Sequence, residues 1–102
     1  MLLALDYDEC FALDPLGWQD ALETFKAHGH SVVGVTMRYE REKEDMSPLY
    51  FGVCEKVYFT GRLGKRKFLE NLDVYPHVWV DDTPEFVVFD AKKTVGYNPD
   101  MA

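Results

Sequence analysis

The sequence predicts an α/β fold in three layers, a parallel sheet with helices on both faces. Three observations carry that expectation. Four short apolar runs, rich in β-branched and aromatic residues, recur along the chain. Segments with helical spacing or helix-start signals separate them. The polar residues with the sharpest chemistry follow these runs, where parallel strands would gather them on one rim.

Leu2–Leu5 is apolar without alternation, as in a strand buried on both faces. Asp14-Pro15-Leu16-Gly17 reads as a break, and residues 18–27 as a helix. Trp18, Ala21, Leu22 and Phe25 form its apolar stripe, and Gly29 marks its stop. Residues 31–35 (Ser-Val-Val-Gly-Val) are a second strand ending at Thr36. Residues 38–45 are highly charged, a solvated loop or helix start, and residues 48–54 read as a short helix. Residues 56–59 (Lys-Val-Tyr-Phe) form a third strand, and residues 63–72 a helix with Leu63, Phe68, Leu69 and Leu72 on one face. Val78–Val80 is a fourth strand ending at Asp81-Asp82. Pro84 then opens a short helix, with residues 86–89 as an alternative fifth strand.

The 102 residues fit a single domain, with a motif-bearing core over residues 2–90 and a polar tail over residues 91–102. The hydrophobic share of 47% and the aromatic share of 15% are enough for a packed core and argue against disorder. Eighteen acidic against eleven basic residues leave a net charge of −7, which disfavours an extensive nucleic-acid face or an anionic membrane partner. No apolar run approaches the ~20 residues that span a bilayer. The apolar start ends at Asp6 with no basic residue before it, unlike a secretion signal. Cys10 and Cys54 are too few for a disulfide framework and have no His at metal-finger spacing; both read as free thiols in a reducing cytoplasm.

Singly, the rim residues have ordinary explanations. Asp is common in turns after strands, Thr caps helices, and Lys65-Arg66-Lys67 suits a solvated helix face. Together they are harder to dismiss. Asp6, Asp8, Asp81 and Asp82 crowd four carboxylates onto one edge, where like charges raise one another's pKa. A hard divalent cation such as Mg²⁺ removes that cost. Thr36 and Lys65 add a hydroxyl and an ammonium for phosphoryl oxygens, the set that phosphoryl transfer needs.

At these residues the sequence resembles the haloacid dehalogenase-like (HAD) hydrolases. Asp6-Tyr7-Asp8-Glu9-Cys10 after Leu-Leu-Ala-Leu is similar to the family's first motif, Asp-x-Asp-x-Thr/Val after an apolar strand. Val32-Val33-Gly34-Val35-Thr36 resembles the second motif, Lys65 the third-motif lysine, and Val78-Trp79-Val80-Asp81-Asp82-Thr83-Pro84 the fourth in its Asp-Asp form. The order matches, over residues 2–84. Thr36-Met37-Arg38 and Tyr58-Phe59-Thr60-Gly61-Arg62 also resemble small HAD-like proteins encoded by bacteriophages. Cys10 departs from the usual Thr or Val, and Tyr7 from the smaller residue of many phosphatases.

The resemblance implies a minimal Rossmann-like fold without a cap domain and a Mg²⁺-dependent phosphatase. Asp6 would be the nucleophile, forming an aspartyl-phosphate, and Asp8 the acid/base. Asp6, Asp8 through its backbone carbonyl, and Asp81 with Asp82 would hold Mg²⁺. Thr36 and Lys65 would bind the phosphate. Arg38 and Arg62 are candidate substrate contacts outside any family rule. With only residues 7–17 between the first strand and its helix, the site is expected to be open. That suits a nucleic-acid end or another large phosphorylated substrate, or a small one covered by a second copy of the chain. A response-regulator receiver domain has its lysine after the acidic residues, the wrong order here. A small Mg²⁺-dependent nuclease stays in contention through Arg62, Lys65, Arg66 and Lys67. So does a HAD-like domain that binds without turnover.

Overall fold

The structure, a computed structural model, describes residues 1–91. The expected polar tail from residue 92 onward lies outside the described residues. Ala91, assigned to that tail from the sequence, is buried, and its N–H donates to the Arg62 carbonyl at 2.8 Å.

Strands β1 (Leu2–Leu5), β2 (Ser31–Thr36), β3 (Val57–Phe59) and β4 (Val78–Val80) form one parallel sheet in the order β3-β2-β1-β4. Helices α1 (Pro15–Ala27), α2 (Pro48–Val53), α3 (Lys65–Glu70) and α4 (Glu85–Val88) connect and flank them, with 3-10 turns at Phe11–Leu13 and Glu40–Glu42. The chain steps from β1 through β2 to β3, then reverses to place β4 beyond β1. Right-handed crossovers then put α1 and α2 on one face and α3 on the other. The packing follows. Leu3, Leu5 and Val32 meet Leu22, Tyr50 and Val53, while Ala4, Val33 and Val35 meet Leu69. The alternation of Leu3, Ala4 and Leu5 between faces is the period of two that a pleated strand imposes. Among the described residues no helix is long and apolar enough to cross a membrane.

Two helices differ from the sequence reading by more than one residue. Asp14-Pro15-Leu16-Gly17 starts α1 instead of breaking the chain. The Asp14 carboxylate accepts from the Gly17 N–H at 3.0 Å, and Pro15 occupies the first turn, where its missing N–H costs nothing. Ala21 is exposed, so the packed stripe is Trp18, Leu22 and Phe25. The third helix is only six residues long because Gly64 caps it and the chain turns after Asn71. Leu63 and Leu72 fall outside it and are exposed, leaving Leu69 and Phe68 to pack. Residues 86–89 do not make a fifth strand; Pro84 leads into α4, with Val87 buried.

Gly34 in β2 is where the sheet admits its largest buried side chain. A Cβ there would lie 2.5 Å from the Tyr50 hydroxyl oxygen, so only glycine leaves room for that ring. The Tyr50 hydroxyl donates to the Leu5 carbonyl at 2.7 Å, at the end of β1. Tyr7 meets the same ring edge-on and Phe11 meets it at a tilt, with centroids 5.0 and 5.1 Å from it. The Tyr7 hydroxyl accepts from the Ser47 N–H at 2.8 Å. The loop after β1 is thus tied to the start of α2.

Candidate active site

The strand order reverses between β1 and β4, and open parallel sheets form a crevice beyond the strand ends at such a point. Asp6 follows β1 and Asp81 follows β4. The Asp6 N–H donates to the Val80 carbonyl at 3.0 Å, extending the ladder by one residue and holding the two aspartates side by side.

Lys65 reaches them from α3. After β3 the chain makes a tight turn in which the Thr60 hydroxyl donates to the Leu63 carbonyl at 2.8 Å. Gly61 and Arg62 adopt left-handed φ values of 60° and 73°. That geometry suits glycine and is uncommon for arginine. It starts α3 at Lys65, whose ammonium lies 2.8 Å from Asp6 Oδ1 and 2.5 Å from Asp81 Oδ2. Asp81 is further held by the Thr83 N–H, which donates to its Oδ1 at 2.9 Å. Lys65 and Asp6 are buried, and the Asp81 side chain is 4% exposed. Asp82 is exposed, with one oxygen accepting from the Thr83 hydroxyl at 3.3 Å.

One ammonium does not balance three carboxylates. Burial pushes the Asp6 carboxyl up to about 7. Lys65 opposes that rise through its charge and hydrogen bond, while the charge of Asp81 and a hydrogen bond with Asp82 add to it. Oxygens of Asp6, Asp81 and Asp82 lie within 4.8 Å of one another. An all-carboxylate set of this kind fits a hard cation such as Mg²⁺, which takes a few protein oxygens and keeps water on its other positions.

Asp8 does not join that cluster. Its carboxylate is held by Arg38, with Nε 3.0 Å from Oδ2 and Nη2 2.7 Å from Oδ1. Arg38 Nη1 also donates to Asp45 Oδ1 at 2.5 Å and to the Glu42 carbonyl at 2.7 Å. The hydrogen bond to Asp8, more than any other partner, raises the guanidinium's already high pKa, against the effect of burial. The same pairing to Arg38 lowers that of Asp45.

Thr36 is fully buried, and its hydroxyl oxygen accepts from the Arg38 N–H at 3.2 Å; it stands behind the cleft wall rather than in it. Arg62 is buried too. It donates to the Met37 carbonyl at 2.6 Å and to Glu42 Oε2 at 3.1 Å, and lies 5.0 Å over the Tyr39 ring. Burial raises the Glu42 carboxyl, but hydrogen bonds from Arg62 and the Tyr39 N–H outweigh it and leave its pKa lowered.

A cleft of about 710 Å³ opens over the rim. Asp6, Asp8, Arg38, Arg62, Lys65, Asp81 and Asp82 all contribute to its wall. Comparison with known proteins finds no match to any family model, curated protein or solved structure.

The sequence reading missed the roles of Glu42 and Asp45, which anchor Arg38 and Arg62 from the charged segment before α2. The one legible signal was the density of alternating charge between Arg38 and Asp45. His30 and His77 serve the opposite rim. His30 Nδ1 meets the chain's amino group at 2.7 Å, and His77 Nδ1 accepts from the Leu2 N–H at 2.9 Å.

Proposed function

We propose that the chain is a Mg²⁺-dependent phosphohydrolase of HAD type, working through an aspartyl-phosphate on Asp6. The observation that carries this reading is the buried Lys65 bridging Asp6 and Asp81 at the point where the strand order reverses. A structural ion pair needs one carboxylate; here a second buried one and a nearby third leave negative charge unbalanced in an open cleft. The order of the four motif-like stretches supports the same reading.

In this mechanism an Asp6 oxygen attacks phosphorus as the bond to the leaving oxygen breaks, and Asp8 gives that oxygen a proton. Water then attacks the phosphorus, Asp8 takes its proton, and Asp6 is released with inorganic phosphate. Lys65 offsets charge on the phosphoryl oxygens. Bound by Asp6, Asp81 and Asp82, Mg²⁺ would supply positive charge that relieves carboxylate repulsion and polarises the phosphoryl group. The substrate class is a phosphate monoester, on a small molecule or a nucleic-acid end. The wide cleft and the net charge of −7 favour recognition at the phosphate over recognition along a nucleic-acid backbone.

One observation favours a second reading, a binding module without turnover: Arg38 occupies both oxygens of the would-be acid/base Asp8. One experiment separates the two. With Mg²⁺ and an activated aryl phosphate, Asp8→Asn is expected to gain a phosphate adduct by intact mass. The leaving group then needs no proton, while hydrolysis loses its base, worth about 10²–10⁴-fold. The adduct should vanish when Asp6 is also changed. Turnover that persists in Asp6→Asn would point to a metal-activated water, as in a nuclease. No adduct and no turnover in any form would favour the binding module.

A further inference from the structure

Arg38 differs from Lys65 and Arg62, two of the other cations of the cleft wall, in what holds it. Lys65 and Arg62 are buried, with partners that are themselves shielded or part of the backbone. Arg38 is anchored on one side by the Glu42 carbonyl and by the Tyr7 ring, 5.4 Å from the guanidinium carbon. Its other acceptors are carboxylates open to water: the Asp8 side chain is 51% exposed and that of Asp45 76%. Water reaches both carboxylates, so even the two-pronged hold on Asp8 can exchange for another acceptor of the same geometry. The guanidinium is thus fixed in place while its fork is held by a replaceable acceptor.

That acceptor is the group on which the proposed chemistry depends. With Nε on one oxygen and Nη2 on the other, the Arg38 fork engages both oxygens of Asp8. Opening the pair would free both oxygens to face a reacting atom. A phosphate offers two oxygens at the spacing a guanidinium fork accepts, with more charge than a carboxylate. Arg38 and Asp8 line the same cleft as Lys65 and Asp6.

We propose that Arg38 is a positioning residue that exchanges its fork from Asp8 to the phosphate of the arriving substrate, so that substrate binding and release of Asp8 are one event. The proposal rests on the phosphohydrolase reading. It makes Asp8 a competitor of phosphate for Arg38, and competition leaves a sign that structural support does not.

The experiment is a double-mutant cycle on binding, not turnover. The affinity for inorganic phosphate is measured by calorimetry, with saturating Mg²⁺, for the unmutated chain, Asp8→Asn, Arg38→Gln and the double variant. Exchange predicts that Asp8→Asn tightens phosphate about tenfold or more when Arg38 is present, within the range of measured site couplings, and by a clearly smaller factor in the Arg38→Gln background. If Arg38 merely screens Asp8, the order reverses, because an unscreened Asp8 repels phosphate more strongly; equal factors mean no coupling. Either result overturns the exchange. Phosphate binding that depends on Lys65 but shows equal factors defeats the exchange alone, whereas no binding by any of the four proteins defeats the phosphohydrolase reading with it. A second readout needs no disruptive variant. The Arg38 Nε–H resonance, assigned by its loss in Arg38→Lys, should move on phosphate addition with the calorimetric midpoint; a resonance that stays in place overturns the proposal.

Discussion

Lys65 Nζ meets Asp6 Oδ1 at 2.8 Å across 59 residues of chain, and both side chains are buried. The same ammonium holds Asp81 from the far side of the reversal between β1 and β4. One cation therefore stands between the ends of two neighbouring strands that would otherwise present facing carboxylates, and four expectations follow from this arrangement and the packing behind it.

Removing the cation should be costly. Lys65→Met leaves Asp6 and Asp81 buried without their partner, and breaking a buried pair on one side typically costs about 3–5 kcal/mol. Urea unfolding should show that loss, and millimolar Mg²⁺ should restore part of it by standing in for the ammonium. A loss below about 1 kcal/mol, the range of exposed pairs, would mean that the bridge contributes little.

Metal should stabilise the unmutated chain. Because Asp6, Asp81 and Asp82 converge within 4.8 Å, Mg²⁺ at ten times its dissociation constant should add about 1.4 kcal/mol. That corresponds to a rise in melting temperature of roughly 5–10 °C for a domain of this size. Asp81→Asn should blunt the rise. Melting curves that do not respond to Mg²⁺ would show that the three carboxylates do not act as a metal site.

The pH dependence follows from Asp6, whose carboxyl is raised by burial from 3.8 to about 7. A raised carboxyl favours the folded state while protonated. Its contribution is full below pH 3.8 and is lost as pH rises through about 7, with a slope of up to ~1.4 kcal/mol per pH unit. Glu42 and Asp45, both lowered, have the opposite sign and lose their contribution only as pH falls below the ordinary carboxylate range. In metal-free buffer, stability should therefore decline between about pH 4 and 7, and the decline should disappear in Asp6→Asn. Denaturant midpoints measured across that range for both proteins provide the comparison; parallel profiles would contradict the assignment to Asp6.

Gly34→Ala tests the packing that supports the rim. The new methyl group would stand 2.5 Å from the Tyr50 hydroxyl oxygen, and overpacking of this kind costs about 1–3 kcal/mol. Tyr50→Phe alone should cost about 0.5–1.5 kcal/mol for the lost bond to the Leu5 carbonyl. Because that variant removes one of the clashing atoms, Gly34→Ala should cost less in its background. Additive costs would show that the ring moves aside freely.

The sequence by itself determined where the strands end and which residues stand beyond them. Leu2–Leu5 and Val78–Val80 are apolar runs bounded by aspartates, so each run and its limit are local features, readable without a partner. The parallel pairing of the strands then brought Asp6, Lys65 and Asp81 to one rim. Other features were decided only by tertiary structure. Lys65 joined the two aspartates while Arg38, also cationic, took Asp8; Thr36 sank behind the wall; Leu63 and Leu72 were left outside a helix that their spacing would include. Periodicity records which face of its own element a residue occupies. It carries no distance between side chains tens of residues apart, and the choice among several acids for a long, flexible cation is made by those distances and by how deeply the packing of Tyr7, Phe11 and Tyr50 buries each strand end.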